Sequence, residues 1–313
     1  MDYGNLLSRA FNISWKHKIL WVLGFFAASM GTFGGIHDRL PDGAERWFGR
    51  INPDLSDAVV EWFEFNPEIS IALVILVIGL VLLLALFFFV MSLICIAGLI
   101  DGVIRIEGNQ GYTLKKLFKS GASYFWRYLA LFFIFFAIGV TTILILITPV
   151  ILAVIAVGGI GLILLIFIIP IGIAAVFFFG NIYSLTQREI VANQTPIFTA
   201  IGEGYRLLIR HVGPNIIIFI INTFLWIAIV IAGLILVAIF VAPIVILAAL
   251  SKSFLILALV IGIPLFIVVA VILEGFLGTF FNTLMTLFYL ELRKLTPFEA
   301  PAAARADMAA GQA

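Results

Sequence analysis

The 313 residues are 64% hydrophobic and 11% charged, with a mean hydropathy of +1.24 and a formal net charge of +1. Soluble domains run at roughly 25% charged residues, so the composition excludes an ordinary soluble enzyme or binding module and places the chain among polytopic membrane proteins. The single cysteine, Cys95, excludes an intrachain disulfide and any multi-cysteine metal site.

Residues 1 to 18 carry Arg9, Lys16 and Lys18 on a segment whose Leu7, Ala10, Phe11 and Ser14 share one helical face, which predicts a short helix lying in the membrane interface. A first span follows from about Ile19 to Ile36, with Gly31 and Gly35 in a GxxxG spacing that permits close helix contact. A cleaved signal peptide is the rival reading of this basic start and apolar run; recurrence of the amphipathic segment downstream favours a part of the fold. Residues 37–70 form an extracytoplasmic acidic loop with Arg39, Arg46 and Arg50 as its only basic residues. Within it, Asn52 and Pro53 predict a helix start. One stripe of that helix is apolar (Leu55, Val59, Trp62) and one acidic (Asp54, Asp57, Glu61, Glu64), the latter a solvated face, a cation site or a docking face.

The second span is expected from about Ile71 to Ile100, ending in Asp101 and Arg105, which can pair four residues apart. Lys115, Lys116, Lys119 and Arg127 make the next connection basic. From Tyr128 to Thr186 no charged residue or histidine occurs. As one straight helix that run would be roughly 90 Å long, about three times the hydrocarbon core of a bilayer. It must fold back, and Gly158-Gly159-Ile160-Gly161 is the natural turn of a hairpin over 128–157 and 160–186. Gln187 to His211 supplies Arg188, Arg206 and Arg210. Residues 212–251 again lack charge, as one over-long or broken helix or a tight hairpin. The last apolar run extends from Lys252 to Leu290, and 291–313 read as a disordered tail. Lysine and arginine gather on the side of the N-terminus, leaving Arg39, Arg46, Arg50 and Lys252 opposite, so both termini are expected in the cytoplasm.

The interfacial segments superpose. Leu7, Ala10, Phe11, Ser14 returns as Leu114, Leu117, Phe118, Gly121 and as Ile197, Ala200, Ile201, Gly204, and Asn109-Gln110 and Asn193-Gln194 precede the later two. The expected fold is therefore all-α, about six transmembrane helices in three hairpin units (1–105, 106–190, 191–290), each opened by an amphipathic helix.

Three stretches, Ile13-Ser-Trp-Lys-His-Lys-Ile-Leu-Trp-Val-Leu-Gly24, Glu189 to Leu208 and Thr286-Leu-Phe-Tyr-Leu-Glu-Leu-Arg293, resemble a family of bacterial six-span proteins similar to the membrane domain attached to some glycerophosphodiester phosphodiesterases. The resemblance implies a shared membrane fold, with scaffold or membrane-homeostasis roles. Phosphodiesterase chemistry in the fused members belongs to a separate soluble barrel, which is not expected in these residues. The acidic loop and the run over 212–251 depart from the family.

Glu274 is the one acid deep in an apolar run. A carboxylate at membrane depth costs roughly 2.5 to 3.5 kcal/mol on insertion scales, so it must be neutral, face a polar cavity, or accept hydrogen bonds from Asn222, Thr223, Thr279 or Asn282. A proton or cation path and a neutral inter-helix link are the two readings. No metalloprotease, nucleophile-elbow or phosphate-loop motif occurs. The expectation is a non-enzymatic inner-membrane protein without cofactor or metal, acting as scaffold or assembly partner. A transporter with Glu274, Asn282 and Asn222 in its path is the alternative. Membrane lipids are the expected partners, met by Lys16, Lys18, Lys115, Lys116, Lys119, Arg127, Arg206 and Arg210 at the headgroups, along with a membrane-protein partner or a second copy, and no nucleic acid.

Overall fold

The computed structural model describes residues 1–33, 65, 67–250 and 252–296, all of whose regular elements are helices. The acidic loop up to residue 64, its helix at Asn52 and Pro53, and the tail beyond Thr296 lie outside the described residues. Nine helices follow in order among those described: α1 (Tyr3–Lys16), α2 (Leu20–Phe33), α3 (Pro67–Glu107), α4 (Leu114–Ser123), α5 (Phe125–Val157), α6 (Leu165–Ala192), α7 (Ile197–Arg210), α8 (Val212–Leu250) and α9 (Lys252–Leu295). Four stretches are long and apolar enough to cross a membrane: Glu68–Glu107, Phe125–Ala192, Val212–Phe240 and Val260–Leu295.

Local chemistry accounts for most of the boundaries. Asp2 caps α1 by accepting from the Asn5 amide at 3.0 Å, and Thr113 caps α4 through the Lys116 amide. Pro67 opens α3, where its missing amide costs nothing. The expected turn in the central run is present as a 3₁₀ stretch, Gly158–Leu164, entered through Gly158 at φ +65°. Gly161 folds back so closely that a Cβ there would stand 2.5 Å from the Val154 amide. Each Asn-Gln pair closes a helix with one residue in the left-handed region, Asn109 at φ 53° and Gln194 at φ 54°.

Of the alternatives for 212–251, residues 212–250 form one continuous helix with Pro243 inside it. Of the span expected from 19 to 36, α2 covers 14 residues, about 21 Å of the ~30 Å a crossing needs, and 34–36 lie outside the described residues. The opposite excess marks α3, α8 and α9, whose 41, 39 and 44 residues give about 60 Å each at ~1.5 Å per residue.

Long helices pair antiparallel. Tyr128 at the start of α5 donates to the Gln187 carbonyl near the end of α6 (2.8 Å). His211 beside α8 meets Thr296 beyond α9, and Trp226 with Phe281, then Phe240 with Phe266, continue that pair away from its ends. In the third pair Leu20 of α2 lies at Gly102 of α3, and Phe26 lies against Phe87 and Phe88.

The short helices lie across the long ones at one end of the molecule. α4 sits backbone to backbone on α3, where a Cβ on Gly121 would come within 2.1 Å of the Ile94 carbonyl. α7 sits on α6, with Gly204 against Thr186. α1 packs on α9 through Arg9 to Glu291 and through Phe11 and Trp15 against Phe276. In each repeated quartet the second and fourth residues are buried: Ala10 and Ser14, Leu117 and Gly121, Ala200 and Gly204. Phe11, expected on the same face, turns outward at 48% exposure, because Leu6, Ala10 and Ile13 make the contact at i, i+4, i+7 spacing.

The core lies at this same end. Leu99, Val103, Leu117, Leu185, Leu207, Leu284, Leu287 and Phe288 are buried together, whereas Leu82, Ile145, Ile166, Leu234 and Ile267 along the other halves of the long helices are exposed. We refer to these two parts as the base and the belt.

Candidate functional site

The end of α6 brings Glu189 into the base with no exposure at all, and three elements converge on it. From α9, Tyr289 donates its hydroxyl to Oε2 at 2.7 Å, and Arg293 reaches the same oxygen through Nε at 3.1 Å and through Nη2. After α6, Asn193 donates its amide to Oε1 at 2.7 Å. From α7, the buried Glu203 accepts from Arg293 Nη2 at 3.2 Å and from Arg206 at 2.8 Å. Two carboxylates and two guanidiniums thus balance in charge, with both Glu189 oxygens occupied.

Such a cluster is expensive to assemble, since desolvating an ion costs several kcal/mol even after relaxation. Its value is geometric: charge-assisted hydrogen bonds between α6, α7 and α9 accept only one relative placement of those helices. A second tie joins other elements, with Arg9 of α1 bonding both Glu107 of α3 and Glu291 of α9, and Lys294 adding to Glu291 at 2.7 Å. Asp101 and Arg105 pair at 2.9 Å along α3, as their spacing predicts. His17, after α1, shares a hydrogen bond with Tyr112, before α4; burial, then the neighbouring Lys16, lowers its pKa below the ordinary 6.5.

Arg188 is the odd member. Only 3% exposed, it bonds the Ser184 carbonyl and hydroxyl at 2.6 and 2.8 Å and lies in no ion pair among the described residues.

Glu274 is half-buried at the point where the exposed stretch of α9 meets its packed stretch, next to a crossing with α2. Gly24, Gly275 and Gly278 bring the two backbones together there; a Cβ on Gly278 would stand 2.1 Å from the Gly24 carbonyl. Three of the donors expected for Glu274 bond elsewhere. Thr279 donates to the Leu20 and Gly275 carbonyls, Thr223 to Phe219 and Asn282 to Gly278, because a hydroxyl or amide in an apolar helix finds the i−4 carbonyl first. Asn222 keeps its Oδ1 buried without a hydrogen bond. Asn282 and Asn222 are therefore not bonded to each other. Of the basic residues expected at headgroups, Lys16, Lys18, Lys115, Lys116, Lys119 and Arg210 are exposed, Arg127 is half-buried, and Arg206 is paired with Glu203.

Between α5 and α6, with Phe219 of α8 alongside, an open crevice of about 440 Å³ is lined by Ile143, Ile147, Ile169 and Ile173. Among the described residues no three His, Cys, Asp or Glu side chains gather as metal ligands.

Sequence reasoning missed the Glu189 cluster because Arg293 on α9 stands 90 residues from Glu203 and 104 from Glu189. The available signal was that Glu189, Glu203, Arg206, Tyr289 and Arg293 all fall in the two later stretches that carry the family resemblance. Comparison of the chain with family models, curated proteins and solved structures gives no match.

Proposed function

We propose that the chain is a non-enzymatic scaffold or assembly partner of a membrane complex, crossing a bacterial inner membrane six times with both termini cytoplasmic. The proposal includes a threefold repeat, with units over 1–105, 106–190 and 191–290, in line with the six-span family that the sequence resembles. Supporting the repeat, two of the short helices rest on the long helix before them, α4 on α3 and α7 on α6, while α1, with no helix before it, rests on α9.

The observation that carries the scaffold reading is the division of labour within the long helices. Charge-assisted ties consume the carboxylates of the base and fix its shape, while the belt leaves long apolar faces uncovered. A rigid base with free lateral faces suits contact with other membrane helices, where small residues and van der Waals packing drive association. The transport reading, with Glu274 in the path, remains the alternative.

The test is mass spectrometry of what co-purifies with the tagged chain from native membranes in mild detergent. A stoichiometric membrane-protein partner that survives salt washing is expected. Recovery of the chain alone or with lipid only, together with solute flux in vesicles that a Glu274→Gln variant abolishes, would reverse the order of the two readings.

A further inference from the structure

We infer that the corner between α4 and α5 is a recognition site for anionic phospholipid headgroups; this rests on the membrane residence proposed above. Among the described residues Asp101, Glu107, Glu189, Glu203 and Glu291 are all engaged in ion pairs, whereas Lys115, Lys116 and Lys119 are exposed and in none. Arg127 meets only the Gln194 carbonyl at 3.1 Å and the Tyr124 ring at 6.0 Å. No acid occurs anywhere from Gly108 to Arg127. The nearest acid in space, Asp101, acts on Tyr124 but is already paired with Arg105, so the three lysines present unpaired positive charge to an external anion.

With Gly121 on the Ile94 carbonyl and Gly98 against the Leu117 carbonyl, α4 has only one face it can bury, and rolling it would drive backbone into backbone. Its lysine face is thereby aimed away from α3 in a fixed direction.

Exposed aromatics favour lipid over an acidic soluble partner. Trp126, next to Arg127 in the chain, is 75% exposed, and Phe198, at the start of α7, is 80% exposed; Arg127 bonds the Gln194 carbonyl and so ties α5 to the segment before α7. Rings next to cations match the layered chemistry of a headgroup region, apolar on one side and anionic on the other.

The experiment uses the full chain in mixed micelles holding equal amounts of phosphatidylglycerol and phosphatidylcholine, with bound lipids counted by native mass spectrometry. Each basic residue near an anionic surface contributes about a fivefold factor, so retention of phosphatidylglycerol over phosphatidylcholine by roughly tenfold or more is expected. The triple variant Lys115→Gln, Lys116→Gln, Lys119→Gln should lower the ratio by about tenfold or more, leaving only the smaller preference that the remaining basic residues supply. Lys294→Gln, a lysine already paired with Glu291, should leave it unchanged. If the triple variant does not fold, Lys119→Gln alone should lower the ratio severalfold. Equal retention of both lipids by the parent chain, or an unchanged preference in the lysine variants, would overturn the assignment. So would displacement of the lipid by inorganic phosphate at matched concentration, which would point to a soluble anion. A salt-stable protein partner recovered despite absent lipid preference would sink this inference alone and leave the scaffold reading standing.

Discussion

Leu287 and Leu82 are the same residue on the same kind of helix, yet one is 1% exposed in the base and the other 65% exposed in the belt. Around Leu287, short helices, glycine contacts and ion pairs fill every direction, so its apolar surface is covered by protein. Around Leu82 none of the described residues closes over it, and in the membrane reading lipid supplies the cover. Apolar composition alone therefore does not make a core; what makes the base is polar residues that fix where helices meet.

The largest way to break the base is to remove Arg293. Arg293→Met would strand the fully buried Glu189 carboxylate, at a cost of about 3–5 kcal/mol, read as loss of the folded state in detergent melting. Replacing both partners by Glu189→Gln with Arg293→Met should recover much of that loss. Next, Leu287→Ala opens a void in the packed end and should cost about 2–5 kcal/mol in the same assay. Gly278→Ala sets a methyl against the Gly24 carbonyl and should cost about 1–3 kcal/mol, with loss of α2 contact seen by crosslinking between α2 and α9.

A smaller effect concerns pH. Because the folded pKa of His17 lies below 6.5, the folded state holds its proton less tightly than the unfolded chain does. Its contribution is therefore full above pH 6.5 and lost as pH falls through the lower folded value. Hydrogen-exchange protection near His17 and Tyr112, taken relative to the intrinsic rate at each pH, should fall on acidification, and His17→Gln should flatten that response. At the bottom of the scale, Leu82→Ala should change stability by no more than about 0.5 kcal/mol. A large loss there would erase the difference between the two regions.

The belt was the part most legible in sequence. An uncharged run from Tyr128 to Thr186 needs a turn, and the triple glycine at 158–161 supplied the one place where backbone could make it. The short helices were legible too, since a buried small residue at the fourth place of each quartet announces a close backbone approach. The face of α1 was harder, because Leu6 and Leu7 both fit an apolar stripe and only packing against α9 chooses Leu6. The Glu189 cluster was not legible, because pairing between Glu189, Glu203 and Arg293 is decided by how α6, α7 and α9 cross. Glu274 drew attention as a lone acid in an apolar run, but where Thr223, Thr279 and Asn282 place a hydrogen bond is decided by nearby carbonyls and not by spacing from Glu274.

The most direct measurement is collisional accessibility of single spin labels on a Cys95→Ala background, comparing dissolved oxygen, which concentrates in lipid, with a water-soluble nickel chelate. Labels at Leu82, Ile145, Leu234 and Ile267 should collide freely with oxygen and poorly with nickel, whereas Leu287 should be shielded from both. Strong nickel collision at the belt positions, or free oxygen collision at Leu287, would contradict the division into a charge-tied base and a lipid-covered belt.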